Sequence, residues 1–201
     1  MKKGRILLIV VFATLIVAGV ILLVSGKTKD DSKKAKQSSV TTKIDGYAYE
    51  LMDTDTTYYK ELFTKLKNVL ESENVDEELY ASLVSQLFVT DFYTLSNKFS
   101  SSDVGGVEFI ASEYKDNFSE KARDTIYKAV KSNLYDERNQ LLPTVTKVSI
   151  DDISIVKYGS IDSNAYNIKC TVSYSEDLDY PKVVKLILIH NDKLIEIAKI
   201  N

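Results

Sequence analysis

Residues 166–174 read YNIKCTVSY, and this stretch decides the fold class because its apolar and polar side chains alternate strictly. Alternation with a period of two is typical of a β-strand that buries one face and leaves the other in solvent. Cys170 stands in the middle of the apolar set, so its side chain is predicted to point into the core. The segment therefore predicts a half-buried strand of an antiparallel sheet.

Three further strands are predicted around this one. Residues 148–155 alternate in the same way, but the phase slips at residues 151–152, as a β-bulge would make it slip. Residues 183–189, VVKLILI, are nearly continuously apolar, which predicts a central strand covered on both faces. Residues 191–192, Asn-Asp, suit a tight hairpin turn, and residues 194–200 form the predicted last strand.

Helical periodicity precedes the sheet. Apolar residues recur at three- and four-residue steps over residues 59–70, after a capping residue at Asp55 or Thr56. A second helix is predicted from an N-cap at Asp76 to about Asn97.

Two more helices are predicted before the strands begin. The third follows a cap at Asp103 and carries Val107, Ile110 and Tyr114 on one side, and the fourth opens near Ser119. Helices first and strands afterwards predict the α+β class, with three to four helices packed on a curved four-stranded antiparallel sheet.

Residues 6–25, ILLIVVFATLIVAGVILLVS, form an apolar run of twenty residues without a charge. At about 1.5 Å per residue the run is long enough to cross a bilayer, so it predicts a transmembrane helix in contact with lipid. Residues 1–5 are then a short basic tail on the cytoplasmic side, and the domain lies outside the membrane. Two alternatives stay open: cleavage after Gly26 as a signal peptide, or a domain facing the cytoplasm.

Polar, aperiodic residues follow the apolar run, and they predict a flexible stalk over residues 26–45 that leads into a domain over residues 46–201. Residues 44–201 hold 17 Lys and Arg against 27 Asp and Glu, a net charge of −10. This acidic balance argues against nucleic acid as a partner. The single cysteine excludes an intrachain disulfide and a cysteine-built zinc site, and no metal or other cofactor is expected.

The order of elements, together with the closing residues 183–197, VVKLILIHNDKLIEI, resembles the nuclear transport factor 2-like family of cystatin-like cone domains. That family usually has a tryptophan where this chain has Leu194. With a short tail, one span and a stalk, the chain also resembles the bitopic scaffold subunit of type IV secretion and conjugation machines. Residues 91–93 and 103–106 resemble segments of Gram-positive membrane proteins. These resemblances imply a cone-shaped domain outside the membrane that works through protein contacts.

Asp91 is the residue best placed to carry chemistry, because it falls within the apolar stripe of the second helix. A carboxylate there must be paired or hydrogen-bonded. It is either an acid in a ligand pocket of the cone or an anchor for the amides of residues 104–106. The glycines at 105–106 either cradle an anion or allow close helix packing, and packing is the favoured interpretation.

Other candidates are weighed in the same way. His190 is interpreted as a solvated turn histidine rather than a general base, and Cys170 as an inert buried thiol. The acidic residues between the first two helices lack the EF-hand spacing for calcium, so they are interpreted as a solvated helix end. Tyr158, Tyr166 and Tyr174 are the candidates for a partner surface on adjacent strands, with ordinary cross-strand packing as the alternative.

These observations predict a non-enzymatic, single-pass membrane protein of the bacterial cell envelope. It would act in structure or interaction, for example as a scaffold subunit of a secretion or conjugation machine, through other envelope proteins or self-association. The alternative is an extracytoplasmic domain that binds a small molecule or peptide in the cone. A filled interior favours the first interpretation and an open apolar pocket the second.

Overall fold

The computed structural model describes residues 35–201, so the helix predicted for residues 6–25 and the tail before it lie outside the described residues. Within residues 35–201 there is no helix that combines the length and the apolar character needed to cross a membrane.

The described chain is an α+β unit, which confirms the predicted fold class. In chain order the elements are β1 (Val40–Lys43), β2 (Glu50–Met52), α1 (Thr57–Leu70), α2 (Glu77–Tyr93), two 3-10 helices (Val107–Phe109 and Ser112–Tyr114), α3 (Lys115–Asp124), β3 (Val145–Tyr158), β4 (Asp162–Tyr174), β5 (Val183–Asn191) and β6 (Leu194–Ile200). The main sheet has four antiparallel strands in the order β3-β4-β5-β6, and β1 and β2 form a separate antiparallel pair.

The two long helices begin at the predicted caps. The Thr56 hydroxyl accepts a hydrogen bond from the Tyr59 amide at 3.2 Å, and the Asp76 carboxylate accepts one from the Leu79 amide at 3.0 Å. Each bond satisfies a backbone donor that the first helical turn leaves free. Helix α2 ends at Tyr93, before the predicted end near residue 97, because the following amides, beginning with that of Leu95, donate to the Pro143 carbonyl instead.

The third and fourth helices need correction. Residues 107–114 form two short 3-10 helices rather than one α-helix, because the chain is extended at Ile110 and Ala111 between them. The Ala111 amide donates to the Ile197 carbonyl of β6 at 2.9 Å, so a sheet contact interrupts the helical path. Helix α3 begins at Lys115, earlier than the predicted Ser119.

The sheet follows the predicted strands, including the bulge. The β3–β4 register shifts between Ile150 and Asp152, where the sequence alternation slips. Strand β5 is an interior strand as predicted, but it is covered on both faces only in part. Lys185 on its outer face is exposed, whereas Ile189 is buried against a small second cluster that includes Ala111.

The expected stalk over residues 26–45 also needs correction at its C-terminal end. Residues 40–43 form β1, and Ile44 is buried in the main core. The Lys36 amide donates to the Leu134 carbonyl at 2.6 Å, so the folded unit begins near residue 35. The side chains of β1 are largely exposed, and β1 pairs with β2 through backbone hydrogen bonds. A strand of this kind needs no apolar pattern, so the polar sequence did not predict it.

Apolar side chains fill the space between the helices and the main sheet. Helix α2 supplies Leu87 and Phe88, and the facing strands supply Ile168 and Leu186, all with 0% of their surface exposed. Each buried side chain of this size stabilises the fold by roughly 1.5–3 kcal/mol before conformational entropy is subtracted. Cys170 lies in the same core, as the alternation of β4 predicted.

Candidate functional site

Asp91 lies at the point where α2, the 3-10 region and the N-terminal strands meet. One of its oxygens forms an ion pair with the Lys98 ammonium, and the other accepts a hydrogen bond from the Gly106 amide at 2.6 Å. The two side chains are only 13% and 8% exposed, so the pair is largely shielded from water. The Asp91 carboxylate therefore anchors the glycine loop, as the second of the two sequence interpretations proposed.

The glycines at 105 and 106 are needed for close packing. A Cβ on Gly105 would stand 2.5 Å from the Asp91 carbonyl oxygen, and one on Gly106 would stand 2.7 Å from the Phe88 ring. Gly106 also has φ +75°, which favours glycine. The Gly105 amide donates to the Tyr127 hydroxyl at 3.0 Å, so both amides bind groups of this chain. This arrangement supports close packing rather than an anion cradle.

A polar cavity of about 200 Å³ opens beside Asp91 and is lined in part by Asp55, Tyr59 and Glu108. Burial raises the pKa of Asp55 to about 6, against the hydrogen bond that its carboxylate accepts from the Met52 amide. Burial, and then the negative charge of Asp91, raise the pKa of Glu108 to about 7. The Tyr59 hydroxyl donates to Glu108 at 3.3 Å.

The raised pKa values of Asp55 and Glu108 lie near neutral pH, and the carboxyl groups in the walls of the cavity do not suit an apolar ligand. The cavity is smaller than the roughly 300–1,000 Å³ that small-molecule sites usually enclose. Four carboxyl groups line it, those of Glu50, Asp55, Asp91 and Glu108. Within residues 35–201 no three His, Cys, Asp or Glu side chains are placed to hold a metal ion.

The three candidate tyrosines do not share a surface. Tyr166 is buried in the main core, and Tyr174 packs against the same core while its hydroxyl donates to the Pro181 carbonyl at 2.8 Å. Tyr158 instead packs with the second cluster, which includes Ala165. Since Ala165 and Tyr166 are consecutive in β4, their side chains leave opposite faces of the sheet. Tyr158, Tyr166 and Tyr174 therefore do not lie together on one face of the sheet.

His190 is held by carboxylates rather than simply solvated, which corrects the interpretation as a solvated turn residue. Its Nδ1 lies 2.7 Å from Asp162 Oδ2, its backbone amide donates to the same oxygen at 2.8 Å, and its Nε2 lies 3.8 Å from the Glu77 carboxylate. Burial opposes ionisation of Asp162, but the hydrogen bonds from the amides of His190 and Asn164 and from the His190 ring lower its pKa overall. The pair thus ties the end of β5 to the start of β4.

The sequence analysis did not identify three residues that contact Asp91, Tyr59 or His190: Lys98, Glu108 and Asp162. Lys98 follows Asp91 by seven residues, but the helix ends between them, so helical spacing gives no signal of the contact. Asp162 and His190 are 28 positions apart and meet only because β4 pairs with β5.

The two edges of the main sheet are protected unequally. At the β6 edge, the Ile197 carbonyl accepts from the Ala111 amide, and a groove of about 340 Å³ separates β6 from α3. At the β3 edge, the Tyr58 hydroxyl accepts from the Val148 amide at 2.9 Å, and the Gln86 amide donates to the Val148 carbonyl at 2.8 Å. No such cap covers residues 153–157 of β3 among the hydrogen bonds of the described chain.

Comparison with known proteins adds no family to this description. No protein-family model matches the chain, and neither a curated protein nor a solved structure matches it. Over residues 35–201 the fold defines an α+β domain with three α-helices and a four-stranded antiparallel main sheet. The resemblance to cone domains and to a secretion scaffold stays a prediction.

Proposed function

We propose that the chain is a membrane-anchored, non-enzymatic interaction protein of the bacterial cell envelope. In this proposal residues 6–25 span the membrane, and the α+β domain, a cone of the nuclear transport factor 2-like kind, lies outside it. The domain contacts other envelope proteins or further copies of itself, as a scaffold subunit of a secretion or conjugation machine would.

The observation that carries this proposal is the filled interior. The helix-facing side of the main sheet is occupied by side chains with no exposed surface, such as Phe88, Ile168 and Leu186. A ligand-binding cone would instead keep an apolar cavity there with a few polar groups directed into it. What remains available to a partner is the outer surface, and among its exposed apolar side chains is Ile155, with 66% of its surface exposed.

The surroundings of Asp91 argue against a role for this residue as a general acid or base. A general acid or base needs an accessible, titrating carboxyl group that a substrate can approach. The two oxygens of Asp91 are engaged by Lys98 and by the Gly106 amide. Their role is to hold the loop after α2 against the helix.

The test is chemical cross-linking of the full-length chain in membranes of its native host, followed by capture and identification of the attached proteins. The proposal expects a reproducible set of envelope proteins or a homo-oligomer. Capture should weaken when Gly106→Ala destabilises the domain. The Gly159→Ala variant, whose added Cβ meets nothing within 4 Å, serves as the matched control. A chain that stays monomeric and attaches to no protein would contradict the proposal.

A further inference from the structure

The hydrogen-bonding direction along β3 follows from the register of the sheet. The Val172 amide donates to the Lys182 carbonyl, on the β5 side of β4. Neighbouring residues of an antiparallel strand bond to opposite sides, so Asn167 and Ala165 bond towards β3. Their partners there are Ser154 and Val156. The backbone groups of the intervening Ile153, Ile155 and Lys157 consequently point away from the sheet.

Val148 provides an independent check on this direction. It pairs with Val172, so the same alternation directs its amide and carbonyl outwards. Both groups are indeed capped from outside the sheet, by Tyr58 and Gln86. The caps end there, and within residues 35–201 nothing bonds to the outward backbone groups of Ile153, Ile155 and Lys157.

The uncapped segment has the properties of a strand that pairs with another strand. Its sequence, ISIVK over residues 153–157, is rich in β-branched residues and carries a single charge. Its central side chain, Ile155, is 66% exposed. Folded proteins usually protect a long apolar edge with charges, prolines or a covering segment, because an unprotected one recruits a further strand. Residues 153–157 contain no proline and one charged side chain, that of Lys157, and the register of β3 with β4 shifts at both ends of the segment.

We propose that residues 153–157 of β3 pair antiparallel with the same residues of a second copy of this chain, centred on Ile155. The pairing joins the two four-stranded sheets into one continuous sheet across a two-fold axis. This inference rests on the proposed function, since it names the surface and the partner through which the domain interacts.

The register explains why a second copy fits this edge. With Ile155 facing its own counterpart, Lys157 lies opposite Ile153 of the partner, and the apolar stem of the lysine covers that isoleucine. No charged residue of the segment then faces a like charge. The three outward residues of each copy supply about six hydrogen bonds between the chains. Anchoring in one membrane raises the effective concentration of the two edges, which a short strand pair needs.

A cysteine at the centre of the pairing tests the contact in the full-length chain. Directly opposite residues of a hydrogen-bonded pair have Cα atoms about 5.5 Å apart, which suits a disulfide. In a Cys170→Ala background, Ile155→Cys should give a disulfide-linked dimer in membranes under mild oxidation. Ile161→Cys is the matched control, because Ile161 is similarly exposed, at 56%, but lies beyond the strand in the β3–β4 turn. Equal yields from the two variants, or no dimer from Ile155→Cys, would overturn the proposal.

A second pair of variants tests the backbone directly. Ile155→Pro removes an outward N–H and costs no bond of the β3–β4 ladder, whereas Ile155→Thr keeps the N–H and the β-branched side chain. The proline variant should sediment as a monomer in detergent and the threonine variant as a dimer, with the same circular dichroism. A dimer that survives the proline would refute strand pairing. Attachment of Ile155→Cys to a different protein would also refute the second copy as partner, while leaving the proposed function standing.

Discussion

Breaking the Asp91–Lys98 pair should destabilise the domain strongly. Asp91→Asn keeps the size of the side chain and an oxygen that can accept from the Gly106 amide, but it leaves the Lys98 ammonium without its counter-charge. The Lys98 side chain is only 8% exposed, so water cannot replace the lost carboxylate. Removing one partner of a buried pair costs about 3–5 kcal/mol, a large part of the 5–15 kcal/mol by which domains are usually stable.

The companion variant separates the ion pair from other effects of the substitution. Lys98→Met should also destabilise the domain, because it leaves the Asp91 carboxylate without its counter-charge. The double variant should lose about 2–3 kcal/mol less than the sum of the single losses, because no uncompensated charge remains. Urea unfolding followed by circular dichroism measures all four free energies of unfolding. Losses that add to within about 0.5 kcal/mol would show that the two groups do not act as a pair.

Three further predictions concern single positions. Gly106→Ala should lower the free energy of unfolding by about 2–5 kcal/mol, because the alanine would combine a left-handed backbone with a clash on Phe88. Gly159→Ala, with φ +58° and open space around the added Cβ, should lower it by about 1–2 kcal/mol in the same assay. Burial and the charge of a neighbouring carboxylate raise the pKa of Glu108 from 4.5 to about 7. The stabilising contribution of its protonated form is therefore lost as the pH rises through this window. Glu108→Gln should flatten the decline in the free energy of unfolding between pH 5 and 8 by about 1–3 kcal/mol. Burial raises the pKa of the Cys170 thiol to about 12, so iodoacetamide at pH 8 should alkylate it only after unfolding, and labelling of the folded chain would contradict its placement.

Features fixed by neighbouring residues were predictable from the sequence. The caps at Thr56 and Asp76, the alternating strand β4 and the bulge near Asp151 all leave a local pattern, and each is found where that pattern placed it. The alternation of β4 also indicated that Tyr166 is buried, because Tyr166 lies four residues, or two full periods, before the buried Cys170.

Features that depend on distant contacts were not predictable in this way. The third predicted helix breaks because Ala111 bonds to Ile197, which is 86 positions away and gives no local sign. Strand β1 exposes its side chains, so hydropathy could not distinguish it from a stalk. At the candidate site the sequence identified Asp91 and the glycine loop, but Lys98 reaches the carboxylate only through the path of the loop after α2.

The most direct test of the central claim is the mass of the complex that the full-length chain forms when it is solubilised gently from its native membrane. An interaction protein predicts a discrete complex larger than one chain with its detergent, and this complex should persist in Asp55→Asn and Glu108→Gln variants that alter the polar cavity. A single chain at every protein concentration, with no other protein bound, would contradict the claim that the domain works through protein contacts.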